Sequence, residues 1–253
     1  MKISVFDAAG GNPTAICYDT DCTQNDYPML NKLIQRAHPW VEQVGFYRED
    51  CSLPRLEMAG GEFCGNAARS FACLLKELNP GKDGFQFHIS GFAPPVTAEV
   101  TRTGTGKFAC SAGFKGLDAE KREGRLDGKP VTIVDLGGIV HIMVKETDFP
   151  VNGNGAAGEM LAIKNRLGID GSAVGVVWLR EEMEKLYMRP VVWVRDINTC
   201  LEESSCGSGT IAVAAALEKN VSVVQPSGEP IDVCFNKNTL VLSSSMEKID
   251  LPS

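Results

Sequence analysis

Hydrophobic and polar residues follow the same succession of patterns twice along the chain. Short runs rich in β-branched residues occur at residues 3–7 and 131–135, and a Gly-Gly pair follows closely after each. A second apolar run comes next in both places, at residues 14–18 and 140–144. Such short runs bounded by glycine turns predict strands. Each half of the chain is therefore predicted to open with a pair of strands.

Longer stretches with apolar residues at helical spacing predict four helices. Two of them are amphipathic, at residues 27–37 and 156–167, and two are more apolar, at residues 67–78 and 210–219. Alternating or continuous apolar runs, for example at residues 191–194, predict further strands between the helices. Helices that interrupt mostly hairpin-length strands favour the α+β fold class.

Four short motifs recur in one order, which indicates an internal duplication. The matched pairs are residues 3–7 with 131–135, residues 44–49 with 174–181, Cys64-Gly65-Asn66 with Cys206-Gly207-Ser208, and residues 90–94 with 227–230. The joint is expected in the polar, Gly- and Lys-rich stretch at about residues 115–130. We therefore expect an N-terminal lobe at residues 1–120 and a C-terminal lobe at residues 121–239, with a tail at about 240–253 that packs back on the first lobe.

Composition excludes several classes of protein. The chain has 253 residues, of which 43% are hydrophobic and 23% charged, so wholesale disorder is excluded. A net charge of −7 without a Lys/Arg cluster argues against nucleic acid or an anionic membrane as a partner. No apolar run approaches the roughly 18–20 residues of a spanning helix, and the N-terminus does not resemble a signal peptide. We expect a soluble, cytoplasmic protein.

The nine cysteines do not form the pattern of a disulfide framework or a zinc site. Their number is odd, no Cys-x-x-Cys pair occurs, and the three histidines are far apart in the sequence. Seven are expected to be structural thiols, mostly small buried residues: Cys17, Cys22, Cys51, Cys73, Cys110, Cys200 and Cys234. The other two, Cys64 and Cys206, each stand before a glycine at the start of an apolar helix.

Cys64 and Cys206 occupy a position with distinctive chemistry. The first N–H groups of a helix have no partner within it, and its dipole is positive there. We therefore expect a lowered thiol pKa and a cradle for a carboxylate at each site. A cysteine before glycine at one helix start is most often a packed small residue, but its recurrence at two equivalent positions favours a functional pair.

Two related lobes packed about a pseudo-twofold axis would aim both helix starts at one cleft. A carboxylate bound there would place its α-carbon between the two sulfurs. One thiolate would remove the α-proton while the opposite thiol returns a proton to the other face, which inverts the centre without a cofactor. The helix N–H groups would stabilise the developing enediolate.

These motifs resemble those of a known family. Cys64-Gly65-Asn66 with Arg69, and residues 205–210 (Ser-Cys-Gly-Ser-Gly-Thr), are similar to the two cysteine motifs of diaminopimelate epimerase and its relatives, the cofactor-independent amino-acid racemases. The resemblance covers most of the chain. It implies two pseudo-symmetric lobes, each with strands wrapped around a central helix, with Cys64 and Cys206 as the catalytic pair. It also implies that no cofactor or metal is used, that the protein is a homodimer, and that the lobes close over substrate.

The resemblance implies further site residues. Those expected to bind substrate are Asn12, Glu42, Gln43, Gly65, Asn66, Glu203, Gly207 and Ser208. Backbone amides at Gly65-Asn66 and Gly207-Ser208 would hold the carboxylate. His141 and Glu202 are auxiliary candidates: His141 is equally well explained as a strand histidine with no role, and spacing leaves open whether Glu202 or Glu203 is the acidic residue before the second cysteine.

The substrate is predicted from where these motifs differ from those of diaminopimelate epimerase and where they match those of another group in the family. Residues 198–205 lack the arginine with which diaminopimelate epimerase holds the distal carboxylate, so diaminopimelate is disfavoured. Residues 42–46, 62–67 and 205–210, with Gln225-Pro226, resemble the histidine racemases of staphylopine-type metallophore pathways. In that group Glu42 would meet an imidazole or cationic side chain. L-histidine to D-histidine is the expected reaction, and another basic amino acid, such as a diamino acid, is the next candidate.

Two other functional classes remain open. Isomerases of the phenazine-biosynthesis or proline-racemase type share the duplicated architecture, and Gly11-Asn12-Pro13 is similar to a motif of the phenazine group. Phenazine-type relatives typically lack one or both cysteines, whereas proline racemases have both, so a secondary-amine substrate would test that alternative. A non-enzymatic thiol protein that binds metal or responds to redox state is the third class, although two thiols without a histidine cluster make a poor metal site.

Overall fold

The computed structural model describes residues 1–49, 52–151 and 155–251. Its helices are α1 (Tyr27–Ala37), α2 (Gly65–Leu78), α3 (Gly155–Arg166) and α4 (Gly207–Leu217), with a 3-10 turn at Gln24–Asp26 before α1. The strands are β1 (Lys2–Ala8), β2 (Gly11–Tyr18), β3 (Gln43–Arg48), β4 (Arg55–Met58), β5 (Gly84–Ile89), β6 (Phe92–Gly104), β7 (Lys107–Lys115), β8 (Glu120–Leu126), β9 (Lys129–Asp135), β10 (Val140–Lys145), β11 (Ala173–Glu182), β12 (Lys185–Val194), β13 (Thr199–Glu202), β14 (Val221–Val224), β15 (Pro230–Asn236) and β16 (Thr239–Ile249).

The strands in the described ranges belong to one mixed sheet. Its order is β1-β2-β3-β4-β5-β6-β7-β16-β15-β14-β12-β11-β10-β9-β8, and β13 pairs with β12. Because β1 also pairs with β16, strands β1 to β7 and β16 form a closed ring. The architecture is an α+β fold built on a mixed, partly closed sheet.

Apart from β8, β13 and the 3-10 turn, the two halves of the described chain contain the same elements in the same order. The series β1, β2, α1, β3, β4, α2, β5, β6, β7 corresponds to β9, β10, α3, β11, β12, α4, β14, β15, β16. The parallel pairings correspond as well, since β2–β3 matches β10–β11 and β4–β5 matches β12–β14. This agreement extends the motif repeat of the sequence to the level of strand pairing.

Helices α2 and α4 contact the largest numbers of strands. Helix α2 contacts seven of the eight ring strands (β1, β2, β4, β5, β6, β7 and β16) and is buried along most of its length. Helix α4 contacts β9, β10, β14 and β15, and its first eight residues are all buried. Both helices are rich in alanine, so they pack closely against the sheet with little side-chain volume. Each therefore holds its N-terminus in a fixed place.

The predicted helices agree with the structure apart from their ends. Helix α1 spans the predicted residues, and α3 lies one residue earlier than predicted. Helices α2 and α4 begin two and three residues earlier, at Gly65 and Gly207, because the cysteine before each glycine caps the helix directly. Part of the expected joint is a strand: β8 pairs with β9, and its polar sequence reflects an exposed position at the end of the sheet.

The structural cysteines differ in their exposure. Cys17, Cys73 and Cys110 are buried, Cys22 and Cys200 are partly buried, and the expectation fails at Cys234, which is exposed because its side chain faces outward from β15. Cys51 lies outside the described residues. All cysteines within the described ranges are free thiols. In the same ranges, no helix combines the length and apolar character needed to cross a membrane.

Trp178 on β11 anchors a second, smaller hydrophobic cluster with α3 residues Met160 and Ile163. It is 1% exposed, and its indole N–H donates to the carbonyl of Phe149 at 2.7 Å. We expect Trp178→Ala to lower the free energy of unfolding by about 3–5 kcal/mol, because it leaves a cavity and an unpaired carbonyl. Urea unfolding measures this loss.

Trp40→Ala is the matched control, since Trp40 is 37% exposed. Its expected change in unfolding free energy is about 0.5 kcal/mol or less. Equal losses for the two variants would contradict the assignment of Trp178 to a packed core.

Candidate active site

Cys64 and Cys206 have the same local geometry. Each has an extended backbone and stands as the N-cap of its helix, Cys64 for α2 and Cys206 for α4. The Cys64 Sγ accepts a hydrogen bond from the Ala67 N–H at 3.3 Å, and the Cys206 Sγ accepts one from the Gly209 N–H at 3.3 Å. N-caps are normally Ser, Thr, Asp or Asn. Helix stability therefore does not explain why both caps are cysteine.

The N-termini of α2 and α4 are in contact with each other. A Cβ added to Gly65 would lie 3.3 Å from the carbonyl carbon of Gly207, and one added to Gly207 would lie 2.8 Å from Asn66 Oδ1. The Asn66 side-chain amide donates to the carbonyl of Ser205 at 2.9 Å, which links the two helix starts directly. Glycine is needed at both positions because a side chain would separate the two helices.

Both cysteines line one small cavity of about 30 Å³. Side chains surround this space closely. It is lined by Glu42, Gln43, Val44, Glu62, Phe63, Cys64, Asn66, Ile139, Val192, Val194, Ile197, Thr199, Leu201, Glu203, Cys206, Gly207 and Ser208. The cavity therefore lies at the two cysteine-capped helix starts, and apolar side chains and several carboxylates line the rest of it.

Hydrogen bonds connect the two thiols through Gln43 and Glu203. The Cys64 thiol donates to Gln43 Oε1 at 2.9 Å, and Gln43 Nε2 donates to Glu203 Oε1 at 2.8 Å. The Cys206 thiol in turn donates to the Glu203 carboxylate. The donor and acceptor roles require Cys64 and Cys206 to be protonated when Glu203 is ionised.

The expectation of lowered thiol pKa values is wrong for this conformation. Burial, together with the nearby charge of Glu203, raises the pKa of Cys64 to about 12, although the Ala67 N–H acts in the opposite direction. The same two causes raise the pKa of Cys206 well above its usual value. Burial, with Glu42 nearby, also raises the pKa of Glu203 to about 8. Desolvation therefore outweighs the effect of the helix N-terminus.

Glu42 lines the cavity, but neighbouring side chains already occupy its carboxylate. Asn12 Nδ2 donates to Glu42 Oε2 at 2.9 Å, while the backbone N–H of Ser204 donates to Glu42 Oε1 at 3.3 Å and its hydroxyl donates to the same oxygen. Asn12 is fully buried and lies behind Glu42, outside the set of residues that line the cavity. The two expected binding residues Asn12 and Glu42 thus lie together at one edge of the cavity.

The remaining candidates separate into buried and exposed positions. His141 is fully buried on β10, where its Nε2 lies 2.9 Å from the Ser208 hydroxyl, so it reaches the cavity only through Ser208. Glu202 lies at the surface in an ion pair with Arg189 at 2.5 Å, whereas Glu203 points into the cavity. The choice that the sequence left open is therefore resolved in position, with Glu203 beside the cysteines.

Comparison with known proteins shows the family to which the chain belongs. The sequence profile of the family described as the histidine racemase CntK N-terminal domain matches residues 10–246. A histidine racemase of Fusobacterium nucleatum subsp. nucleatum is 31% identical over 248 residues, which cover 90% of this chain and 89% of the relative. The chain belongs to the histidine racemase family. A histidine racemase of Staphylococcus aureus is 23% identical over 231 residues, covering 86% of this chain and 83% of that relative.

Membership in the histidine racemase family makes the protein an isomerase, and solved structures agree on its fold. A phenazine biosynthesis protein of the PhzF family from Bacillus anthracis superposes with a TM-score of 0.69 at 13% identity, covering 99% of this chain and 98% of that one. A predicted epimerase from Pseudomonas aeruginosa gives a TM-score of 0.67 at 14% identity, covering 99% of each chain. At these identities the likeness shows a shared fold alone.

Several residues around the site were not among the site residues predicted from the sequence. Gln225 accepts a hydrogen bond from the Cys206 backbone N–H at 2.9 Å and so fixes the start of α4. Glu62 and Ser204 were not predicted either, although both are close neighbours of predicted residues in the sequence. Val192 and Val194 on β12 also line the cavity. The sequence could have placed them together, because residues two apart on a strand face the same side. Which side faced the cavity was not visible from the pattern.

His141 is expected to stay neutral across the physiological pH range. Burial lowers the pKa of His141 to about 3. The Cε1 proton of its imidazole should therefore show a constant NMR chemical shift from about pH 5 to about pH 8, where an unperturbed histidine titrates. The resonance is assigned as the one that is absent from the spectrum of the His141→Gln variant. A titration midpoint near pH 6.5 would contradict the neutral, buried histidine that the structure shows.

Proposed function

We propose that the protein interconverts L-histidine and D-histidine, with Cys64 and Cys206 as the two proton-transfer groups and without a cofactor. The observation that carries the proposal is the shared cavity: two cysteines cap two touching helices, and both line the same enclosed space. The histidine substrate comes from the names of the relatives. An acidic cavity supports a basic amino acid over an acidic one.

The carboxylate of the amino acid is held by backbone N–H groups at the two helix starts. Gly65 and Asn66 supply those of α2, and Gly207 and Ser208 supply those of α4. Helix N-termini bind anions because their first N–H groups are unpaired and their dipoles are positive. Two such ends that touch at Gly65 and Gly207 concentrate this effect on one anion.

The α-ammonium group is placed beside Glu203, which Gln43 holds in position. A cation next to Glu203 offsets the negative charge that raises the pKa of both thiols, so thiolate forms more readily once substrate is bound. Glu42 and Asn12 act at one edge of the cavity, and His141 holds the hydroxyl of Ser208. Glu202, paired with Arg189 at the surface, has no contact with the proposed substrate position.

Inversion proceeds by one proton leaving and another arriving on the opposite face. A thiolate takes the α-proton as the C–H electron pair moves into the carboxylate to form an enediolate, and the opposite thiol then protonates the α-carbon. The former thiolate is now a thiol and the former thiol a thiolate, so each turnover prepares the enzyme for the reverse direction. The helix N–H groups stabilise the enediolate charge in a site shielded from water.

Substrate entry requires movement, because the cavity of about 30 Å³ has room for only about two water molecules. We propose that two lobes, residues 1–120 around α2 and residues 121–239 around α4, separate to admit the amino acid and close over it. The tail at about 240–253 belongs with both, since β16 pairs with β7 along one edge and, along the other edge, with β15 and then β1. A cytoplasmic homodimer is the proposed working form.

The test is exchange of the α-proton in D₂O. Single L-amino acids, including histidine, 2,4-diaminobutyrate and proline, are incubated with the protein and a reductant in metal-free buffer. We expect histidine to lose its α-proton signal while its D-enantiomer accumulates, as followed by NMR and chiral chromatography. If histidine and the diamino acid both keep their α-protons, the proposed function is wrong. Exchange of proline instead would indicate the proline-racemase class.

A further inference from the structure

Three carboxylates line the cavity, and they differ in what they already bind. The described lining contains Glu42, Glu62 and Glu203 and neither Lys nor Arg. Glu42 is occupied by Asn12 and Ser204, and Glu203 is occupied by Gln43 and the Cys206 thiol. Glu62 is different, because its Oε2 has no hydrogen-bond partner among the described residues although the residue is only 7% exposed.

An unpaired carboxylate oxygen in a buried position is costly. Removing a polar group from water without a replacement hydrogen bond costs about 1–3 kcal/mol, and a charged group costs more. Burial raises the pKa of Glu62 to about 7, although the nearby backbone N–H groups of Gly60 and of Glu62 itself act in the opposite direction. The carboxylate therefore lies in a place where a donor from a ligand would remove an existing penalty.

The surroundings locate this oxygen at an apolar part of the cavity. A Cβ added to Gly60 would lie 2.8 Å from Glu62 Oε2 and 2.4 Å from Val194 Cγ1, so carboxylate and valine are neighbours. Ile197 Cγ1 lies 3.5 Å from the same point. Val194 and Ile197 both line the cavity. A single charged acceptor beside apolar side chains suits a group that is part apolar and part hydrogen-bond donor.

The backbone of Glu62 is fixed, which makes the acceptor preorganised. The hydroxyl of Ser90 donates to the Glu62 carbonyl at 3.0 Å and accepts from the Met58 N–H at 3.0 Å. The next residue, Phe63, donates its N–H to the carbonyl of Gly138 at 3.4 Å. Preorganised acceptors give more affinity, because little entropy is lost when the ligand binds.

We propose that Glu62 is the specificity-determining residue that receives the nitrogen of a basic side chain, an imidazole N–H or an ammonium group. The inference deepens the proposed function, on which it rests, and assigns to Glu62 the contact that the sequence had given to Glu42. The side-chain carbons pack on Val194 and Ile197. A substrate with a distal carboxylate is excluded by repulsion from Glu62.

The test compares Glu62→Gln with Glu42→Gln, two isosteric changes in the same cavity. We expect Glu62→Gln to raise the KM for L-histidine about 10- to 100-fold, since a charge-assisted hydrogen bond is lost, and to change kcat by less than about threefold. Glu42→Gln, whose carboxylate is held by Asn12 and Ser204, should change KM less than Glu62→Gln does. Thermal unfolding shows whether each variant is folded.

Binding is measured separately from turnover by calorimetric titration with L-histidine, L-2,4-diaminobutyrate and L-phenylalanine. The wild type should bind the two basic amino acids at least about tenfold more tightly than phenylalanine, and Glu62→Leu should abolish that preference. A wild type that shows this pattern without α-proton exchange would contradict the proposed function but support the inference.

Three outcomes would overturn the proposed role of Glu62. An active wild type whose histidine affinity is unchanged in Glu62→Gln overturns the role of Glu62 alone. A fall in kcat with KM unchanged has the same consequence, because Glu62 would then act on the reaction and not on side-chain recognition. A wild type without preference for basic side chains removes the basis of the inference.

Discussion

Cys64→Ser and Cys206→Ser should each lower the rate of histidine racemisation by about 10²- to 10⁴-fold, the usual contribution of one positioned acid or base. Serine keeps the size of the side chain, but its hydroxyl is a far weaker acid than a thiol and does not form the anion that removes an α-proton. Chiral chromatography of L-histidine incubated with each variant measures the loss.

The same substitutions should leave the fold intact, which separates catalysis from stability. Serine is a favoured N-cap, and it can accept from the Ala67 or Gly209 N–H as the cysteine does. The melting temperature should therefore stay the same or rise slightly. Cys234→Ser is the control for loss of a thiol as such, because Cys234 is exposed on β15. A comparable loss of activity in that variant would contradict the pairing of Cys64 with Cys206.

Glu203→Gln should lose activity and gain stability at high pH. Activity should fall about 100-fold, because the carboxylate that bonds to Cys206 and receives the α-ammonium group is gone. The pKa of Glu203 is about 8 in the folded protein, against about 4.3 for an unperturbed glutamate. Its raised value stabilises the fold fully below about pH 4.3, and that contribution is lost as the pH rises through about 8.

Glutamine does not ionise, so Glu203→Gln does not lose stability in this way. The melting temperatures of the variant and the wild type should therefore diverge as the pH rises. The melting temperature of Glu203→Gln relative to the wild type should increase steadily between about pH 5 and about pH 9. The raised pKa of Asp7 affects both proteins alike and cancels in this difference. A constant difference across this range would show that Glu203 is ionised normally and is not the desolvated carboxylate described above.

The order of elements was predictable because it depends on local pattern. Helix α1 was bounded correctly from its apolar spacing, and the repeated motifs marked Cys64 and Cys206 as equivalent positions before any coordinates. Strand β8, within the expected joint, was not predicted, because it lies exposed at the end of the sheet and carries few of the apolar residues by which strands are recognised.

The electrostatics of the site could not be predicted, because they depend on burial by distant residues. The position of Cys64 at a helix start suggested a lowered pKa, but enclosure by residues such as Val192 and Leu201, more than a hundred positions away, reversed the direction. The partners of Glu42 had the same origin, since Ser204 reaches it from the other half of the chain. Which carboxylate was left unpaired was therefore decided by tertiary structure.

The most direct measurement follows the α-proton of each enantiomer in D₂O with the two single-thiol variants. A two-base mechanism predicts complementary behaviour: the variant that keeps only Cys64 exchanges the α-proton of one enantiomer of histidine, and the variant that keeps only Cys206 exchanges that of the other. If either variant exchanges both enantiomers at similar rates, one base serves both faces, and the assignment of Cys64 and Cys206 to opposite sides of the α-carbon is wrong.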